Sequence, residues 1–206
     1  MPDLTPPAPF EALIFDCDGT LADTLTAHQM SWQQAFSEFG IAMTPEWYQA
    51  RVALSAEALV ADMAQETGRR LTFPDVLARQ ITSFTELRHL VRGIDPVIAV
   101  ARAHHGQVPL AVASSGTAQL VAATLEATGV AELFDIVITA SDVRNSKPAP
   151  DPYLTACARL SVRPEACIAY EDSDGGIQAA SAAGLRTIDV RSALRAAGYL
   201  PAPRHI

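Results

Sequence analysis

Residues 12–21 read Ala-Leu-Ile-Phe-Asp-Cys-Asp-Gly-Thr-Leu, an apolar run that changes abruptly into two carboxylates and a glycine. The apolar part, residues 12–15, has the length of a short strand that is buried on both faces. The polar part begins where this strand ends, at Asp16. Ligands of open parallel sheets bind outside the carboxyl ends of the strands, so this stretch predicts both a sheet and a site at its edge.

Four more short apolar runs predict further strands, at residues 110–113, 136–139, 167–170 and 187–190. Helical patterns separate these runs, with cap or stop signals at Gly129, Asp151, Ser173 and Gly184. The predicted buried faces are Leu120, Val121, Thr124 and Leu125 in the first helix, Leu154, Cys157 and Ala158 in the second, and Ile177, Ala180 and Ser181 in the third. Strands that alternate with helices indicate an α/β fold, here a Rossmann-like parallel sheet with helices on both faces.

The stretch between the first two predicted strands of this sheet has a different, purely helical pattern. Before Gly40, apolar residues recur at the spacing of one helix face: Trp32, Ala35, Phe36 and Phe39. No convincing strand pattern follows up to about residue 92. The sequence therefore predicts a core domain of residues 1–24 and 93–206, with an inserted α-helical domain of residues 25–92.

Composition excludes several classes of protein. The chain has 206 residues, of which 49% are hydrophobic and 18% charged, so it has enough apolar material for a packed core. Its net charge of −8 argues against a nucleic-acid partner, and no apolar run approaches the roughly 18 residues of a membrane helix. We expect a soluble cytoplasmic monomer that contacts neither nucleic acid nor membrane. Its three cysteines, Cys17, Cys157 and Cys167, lack C-x-x-C spacing and are predicted to be buried thiols.

Polar side chains follow four consecutive strands of the predicted sheet. They are Asp16 and Asp18 after the first strand, Ser114 and Ser115 after the second, Lys147 after the third, and Glu171 and Asp172 after the fourth. Lys147 is the only lysine among 15 basic residues, and an ammonium is a more compact cation than a guanidinium. These strand ends are expected to meet at one crevice.

These residue types supply the parts needed to transfer a phosphoryl group to an aspartate. Clustered carboxylates repel one another unless a hard cation such as Mg²⁺ lies among them. One carboxylate can act as the nucleophile, and a second can protonate the leaving oxygen and then activate water. Lys147 and Ser114 would stabilise the transferring phosphoryl oxygens, and Gly19 lets backbone N–H groups turn towards them.

The chain resembles the haloacid dehalogenase-like hydrolase superfamily over essentially its whole length. Four motifs in order carry the resemblance: Asp16-x-Asp18-Gly19-Thr20, Ser114 after an apolar strand, Lys147-Pro148-x-Pro150, and Glu171-Asp172-Ser173. The helical insertion looks like the small cap domain of this family. The resemblance implies a phosphoric monoester hydrolase that uses Mg²⁺ and acts on a phosphorylated small molecule.

Roles for individual residues follow from their positions in these motifs. The resemblance implies that Asp16 is the nucleophile and a metal ligand, and that Asp18 is the acid and base, with its backbone carbonyl on the metal. Asp172 would be a direct or water-mediated metal ligand, and Glu171 either a residue of the metal shell or a structural charge. The implied phosphate-binding residues are Gly19, Thr20, Ser114 and Lys147, with Ser115 able to share the role of Ser114.

Position 18 distinguishes phosphatases and phosphomutases from dehalogenases, whose leaving group needs no proton. The insertion and residues 171–180 resemble the β-phosphoglucomutase-like branch, especially its fructose-1-phosphate and 6-phosphogluconate phosphatases. A sugar phosphomutase remains the alternative, although Ala56 stands where the mutases have an arginine and the insertion contains no lysine. The possible replacements are Arg51, Arg88 and Arg92. A catalytically silent binding protein is a more remote alternative, because both motif aspartates are present.

His28 lies twelve residues after Asp16, where this branch often has a histidine near the acid and base. Such a histidine could orient Asp18 or bind substrate. It could equally be an ordinary polar residue on the exposed side of its helix. We include His28 among the candidate substrate-binding residues.

Overall fold

The computed structural model describes residues 3–199, and the strand formed by residues 12–15 lies at the centre of its main sheet. The strands are β1 (Ala12–Phe15), β2 (Ala22–Asp23), β3 (Arg92–Gly93), β4 (Leu110–Ala113), β5 (Ile136–Ile138), β6 (Cys167–Glu171) and β7 (Arg186–Asp189). The α-helices are α1 (Leu25–Ser37), α2 (Pro45–Gln49), α3 (Ala56–Thr67), α4 (Phe73–Leu87), α5 (Asp95–His104), α6 (Ala118–Thr128), α7 (Asp151–Leu160), α8 (Asp174–Ala182) and α9 (Arg191–Ala196).

Five of the strands form a parallel sheet in the order β5-β4-β1-β6-β7. The chain runs from β1 outward through β4 to β5, then returns to the other side of β1 and runs outward through β6 to β7. The direction therefore reverses beside β1 and β6, and such a reversal opens a crevice at the carboxyl ends of the strands. The predicted α/β class is confirmed.

Side chains of β1 alternate between two apolar clusters, one on each face of the sheet. Leu13 and Phe15 pack in the cluster that also contains residues of α5 and α6. Ala12 and Ile14 pack in the cluster that contains residues of α7 and α8. The strand is fully buried because both of its faces are covered.

The buried faces of two helices differ from the predicted ones. Helix α6 buries the predicted residues, but α7 buries Tyr153, Ala156 and Cys157 and leaves Leu154 exposed. In α8 the buried residues are Gly176, Ala179 and Ala180, so that face is also rotated by about one residue. Both helices turn a residue that contacts Glu171 towards the sheet, Tyr153 in α7 and Gly176 in α8. The spacing of apolar residues does not predict such contacts with a polar side chain.

Four predicted element boundaries need correction. The fourth strand of the main sheet ends at Glu171, one residue later than predicted, so Glu171 lies in the strand and not after it. The third strand of the main sheet stops at Ile138, because Thr139 caps a short turn instead of extending it. The last strand is Arg186–Asp189, and Val190 precedes the next helix. Asp151 is the first residue of α7 rather than its N-cap, and its carboxylate accepts from the backbone and side chain of Asn145.

The chain separates into two units, of which the first comprises the described residues up to Asp23 and from Arg92 onward. The second unit is Thr24–Val91. Where the chain leaves and re-enters the first unit, β2 and β3 pair antiparallel, a ribbon that the sequence pattern did not predict. The assignment of the second unit as a cap domain stays a prediction.

The Thr24–Val91 unit has an apolar core of its own, built mainly from α1, α3 and α4. Trp32, Ala35 and Phe36 are buried as the sequence predicts, whereas Phe39 lies beyond the end of α1 and is only partly buried. Helix α4 also buries two polar side chains, Gln80 and Ser83.

Cys17, Cys157 and Cys167 are free and buried, which confirms the prediction of buried thiols. Within residues 3–199, every helix is too short or too polar to span a bilayer.

Candidate active site

Asp16 and Lys147 meet at the carboxyl end of β1. The backbone N–H of Asp16 donates to the carbonyl of Tyr170, 3.0 Å away, so this residue is still held by the adjacent strand β6. Lys147 reaches the same point from the loop between β5 and α7, and its Nζ donates to Asp16 Oδ1 at 2.6 Å. Both side chains are largely buried, so this is a pair of opposite charges enclosed by protein.

The loop after β1 turns tightly enough to bring Gly19 against Asp172. Gly19 has φ +88°, and the backbone N–H of Gly19 donates to the carbonyl of Ala22 at 2.7 Å. A Cβ at this position would lie 2.2 Å from Asp172 Oδ2, and only glycine avoids this steric clash. Thr20 is buried, and its hydroxyl donates to Asp172 Oδ1 at 3.1 Å. The Thr20 side chain therefore orients a carboxylate, and its phosphate contact stays a prediction.

Ser114 and Asp18 lie on the same side of the crevice as Gly116. Ser114 is buried directly after β4, and its Oγ accepts from the backbone N–H of Gly116 at 3.0 Å. A Cβ on Gly116 would lie 3.3 Å from Ser114 Oγ and 3.8 Å from Asp18 Oδ2, so both polar groups approach this glycine. Ser115 is exposed, and its Oγ accepts from the hydroxyl of Ser146 at 2.9 Å.

Glu171 is a fully buried carboxylate with five hydrogen-bond donors. Its Oε1 accepts from Lys147 Nζ and, at 2.8 Å, from the hydroxyl of Tyr153. Its Oε2 accepts from the backbone N–H groups of Asp172 and Ser173 and from the Ser173 hydroxyl. The Ser173 Oγ in turn accepts from Gly176 N–H and so caps α8, as the sequence predicts.

Asp16, Glu171 and Asp172 form a cluster that fits a hard cation. Each offers a carboxylate oxygen, and these oxygens lie within 4.8 Å of one another. Oxygen ligands of this kind are the ones that Mg²⁺ prefers. Because Oε1 and Oε2 of Glu171 already accept five hydrogen bonds, Asp16 and Asp172 are the better direct ligands.

Burial shapes the electrostatics of the cluster. Loss of solvent raises the pKa of Asp16 well above its usual range, against the lowering effect of Lys147. Burial and the charge of Glu171 raise the pKa of Asp172 to about 6. Burial alone would lower the pKa of Lys147, but Asp16, Tyr153 and Glu171 raise it well above its usual value. A cation among the carboxylates would offset their mutual repulsion.

His28 belongs to the Thr24–Val91 unit, where it lies on α1. Its ring packs against Phe84 with the centroids 4.5 Å apart, and its Nδ1 lies 3.4 Å from Gln80 Nε2. The Gln80 amide also donates to Ser31 Oγ at 2.9 Å. The ring is therefore held by α4, and its role towards substrate stays a prediction.

Tyr153, Gly116 and Gly176 are residues of the site that the sequence analysis missed. Tyr153 is six residues beyond Lys147 and could have been found as the aromatic residue of the helix that follows the lysine motif. A Cβ at position 176 would lie 1.8 Å from Glu171 Oε1, so only glycine fits there. A glycine in a helix of small residues gives no indication of this contact in the sequence. Gly116 follows Ser114 closely and could have been read with it.

Comparison with known proteins decides the family. The family model described as haloacid dehalogenase-like hydrolase matches residues 13–190, which include every motif residue at the crevice. The chain belongs to the haloacid dehalogenase-like hydrolase family. This confirms the resemblance stated from the sequence, and the sugar-phosphate branch is supported by individual relatives.

Among curated proteins, the fructose-1-phosphate phosphatase YqaB of Escherichia coli is 34% identical, over 88% of this chain and 97% of the YqaB chain. Validoxylamine A 7'-phosphate phosphatase of Streptomyces hygroscopicus subsp. limoneus is 30% identical, over 85% of this chain and 83% of its own. Among solved structures, CbbY of Rhodobacter sphaeroides in complex with phosphate is 28% identical. The TM-score is 0.79, and the match covers 88% of this chain and 86% of the CbbY chain. The predicted enzyme class, a phosphoric monoester hydrolase, is confirmed.

Proposed function

We propose that this haloacid dehalogenase-like hydrolase is a Mg²⁺-dependent phosphatase of small sugar phosphates, of the fructose 1-phosphate or 6-phosphogluconate type. The observation that carries the proposal is the contact of Lys147 Nζ with Asp16 at the edge where Asp172 and Glu171 also lie. This places a cation beside a buried carboxylate that can act as nucleophile. Identity of 34% to a fructose-1-phosphate phosphatase supports the substrate class.

In the proposed reaction, an oxygen of Asp16 attacks phosphorus while Asp18 donates a proton to the departing sugar oxygen. Lys147 and Ser114 stabilise charge on the phosphoryl oxygens, with the backbone N–H of Thr20 beside them. Gly19 supplies the turn, since its own N–H donates to the carbonyl of Ala22. Asp18 then removes a proton from water, and the resulting hydroxide hydrolyses the aspartyl-phosphate. The bond between phosphorus and Asp16 breaks in this second step, which releases inorganic phosphate and regenerates the Asp16 carboxylate. Asp18 has regained the proton that it donated in the first step.

Asp16, Asp172 and the backbone carbonyl of Asp18 are the groups proposed to hold Mg²⁺, with Glu171 outside the direct ligands. The cation would supply positive charge that lets an anionic carboxylate approach an anionic phosphate. The Thr24–Val91 unit is proposed to be the cap domain of this family, and His28 is proposed as one of its substrate-binding residues. A cytoplasmic location is proposed as well, because free thiols are typical of a reducing compartment.

Contacts within the Thr24–Val91 unit favour hydrolysis over the phosphomutase alternative. A mutase needs cationic groups for a second phosphate, and Arg51 was one candidate. Its guanidinium pairs with Asp62, donates to Glu66 at 2.8 Å and lies 4.3 Å from the Trp47 ring. Arg88 donates to the carbonyl of Thr85 at 2.7 Å. The Arg51 guanidinium is thus engaged in ion pairs and a ring contact of its own unit, and Arg88 makes one hydrogen bond to the backbone of that unit.

The test is release of inorganic phosphate from a panel of sugar phosphates, with and without Mg²⁺, by the wild-type protein and by Asp16→Asn. The panel contains fructose 1-phosphate, 6-phosphogluconate and glucose 6-phosphate. It also contains xylulose 1,5-bisphosphate, because one CbbY structure is described as a complex with this compound. We expect Mg²⁺-dependent release, strongest with the first two compounds, and none from Asp16→Asn.

A parallel reaction with β-glucose 1-phosphate and a trace of its bisphosphate measures isomerisation. Isomerisation with little release of phosphate would favour the mutase and contradict the proposed hydrolysis. Absence of both reactions across the panel, with the wild-type protein folded, would remove the proposed substrate class. Phosphate release that survives in Asp16→Asn would exclude the aspartyl-phosphate route.

A further inference from the structure

Tyr153 lies outside the four sequence motifs and touches two of the charged residues at the crevice, Glu171 and Lys147. It is the third residue of α7, and its side chain is completely buried. Its hydroxyl donates to Glu171 Oε1 at 2.8 Å, and the face of its ring lies 5.1 Å from Lys147 Nζ. The ammonium of Lys147 is thus enclosed by two carboxylates and an aromatic ring, which attracts cations through its face.

The geometry of Glu171 makes the Tyr153 hydroxyl consequential. Three donors from residues 172 and 173 hold Oε2, so the carboxylate cannot rotate without breaking the start of α8. Oε1 is shared between only two donors, the Lys147 ammonium and the Tyr153 hydroxyl. A carboxylate oxygen that loses one of two donors attracts the remaining one more strongly.

We propose that Tyr153 is a positioning residue that limits the hold of Glu171 on Lys147 and thereby keeps the ammonium available to the phosphoryl group. The hydroxyl donates a hydrogen bond to Oε1 and so offsets part of its negative charge. The ring limits sideways movement of the ammonium. This proposal rests on the proposed phosphatase function, since it concerns how Lys147 meets phosphate. Tyr153 touches neither substrate nor the reacting atoms, and its effect passes through Glu171 and Lys147.

Removing the hydroxyl alone, by Tyr153→Phe, keeps the ring and the packing of α7. Glu171 then retains Lys147 more strongly, and phosphate competes less well for the ammonium. A hydrogen bond to a charged group has enough energy to change the affinity for phosphate by about tenfold. We therefore expect weaker phosphate binding and a similar loss in kcat/KM.

The measurement uses the fact that Lys147 is the only lysine in the 206 residues. Protein grown with ¹³C-labelled lysine gives a single side-chain Cε signal, and titration with inorganic phosphate in the presence of Mg²⁺ then reports binding at that residue. The matched control is Tyr170→Phe. Tyr170 is also buried, and its hydroxyl also makes one hydrogen bond, to the backbone carbonyl of Leu4 at 2.8 Å.

We expect the dissociation constant of phosphate to rise about tenfold in Tyr153→Phe and to stay within about twofold of wild type in Tyr170→Phe. Chemical denaturation of both variants identifies any general loss of stability. Equal dissociation constants in Tyr153→Phe and wild type would overturn the positioning role alone. A wild-type lysine signal that does not respond to phosphate, together with absent hydrolysis, would overturn the proposed function and this inference with it.

Discussion

At the residue scale, Lys147 shows why one ammonium stands in a chain whose other 14 basic residues are arginines. Its side chain is only 7% exposed, and Nζ lies between Asp16 and Glu171 with the Tyr153 ring beside it. A guanidinium is wider and carries its charge in a planar fork. The space between the two carboxylates suits a compact cation.

We therefore predict that Lys147→Arg, which conserves charge, lowers kcat/KM for the best sugar phosphate by at least about 100-fold, the typical cost of losing a donor to a transferring group. The measurement is steady-state kinetics, with Arg163→Lys as a control for exchange of the two residue types outside the crevice. Activity of Lys147→Arg within about threefold of wild type would show that the size of the cation is unimportant.

Asp18 leads to a second prediction at this scale. If Asp18 supplies the proton and then activates water, Asp18→Asn slows both steps, and slow hydrolysis lets the phosphorylated Asp16 accumulate. Mass spectrometry after acid quenching should detect a protein heavier by one phosphoryl group in Asp18→Asn but not in Asp16→Asn. Wild-type turnover by Asp18→Asn would contradict its assigned role.

At the scale of one element, α8 is built around its contact with Glu171. Ser173 caps the helix and binds Oε2, while Gly176 packs so closely that a Cβ would lie 1.8 Å from Oε1. The preceding Gly175 has open space, with no atom within 4 Å of the corresponding Cβ. Two adjacent glycines of one helix thus have opposite environments.

We predict that Gly176→Ala lowers the free energy of unfolding by about 3 kcal/mol and abolishes phosphatase activity, because the methyl group displaces Glu171. Gly175→Ala should instead raise the free energy of unfolding by about 0.5–1 kcal/mol, since alanine favours a helix, and should retain activity. Urea denaturation and phosphate release measure both effects. Equal behaviour of the two variants would exclude the close contact as the cause.

At the scale of the whole molecule, the buried charge of Asp172 is a cost to folding that a bound cation would offset. The pKa of Asp172 is raised to about 6 by burial and by Glu171, so its charge is unfavourable in the folded chain near neutral pH. A cation that binds only the folded state stabilises that state by mass action.

Mg²⁺ at about 100 times its dissociation constant should add about 2.7 kcal/mol to the free energy of unfolding, which corresponds to roughly 5–10 °C in Tm for a chain of this size. Asp172→Asn should lose most of this response, whereas Asp174→Asn, whose carboxylate pairs with Arg191, should keep it. Differential scanning calorimetry with EDTA and with Mg²⁺ measures the shifts. An unchanged response in Asp172→Asn would exclude Asp172 from the metal site.

The sequence by itself was sufficient for the α/β class, the central strand, the family and the residues at each strand end. The fold class and the central strand depend on local apolar patterns, and the family was indicated by the resemblance of four motifs at the strand ends, all of which the chain displays directly. The face of α6 and the Ser173 cap were also predicted correctly, because each depends on neighbours within one turn of helix.

Only the tertiary structure decided which donors share Glu171, why Tyr153 rather than Leu154 faces the sheet, and that Gly176 must lack a Cβ. It also showed that Thr20 orients Asp172 and that Arg51 is engaged with Asp62 and Glu66. Contacts of this kind join residues far apart in the chain. Their existence depends on how helices rotate and pack on the sheet, which apolar spacing in the sequence does not determine.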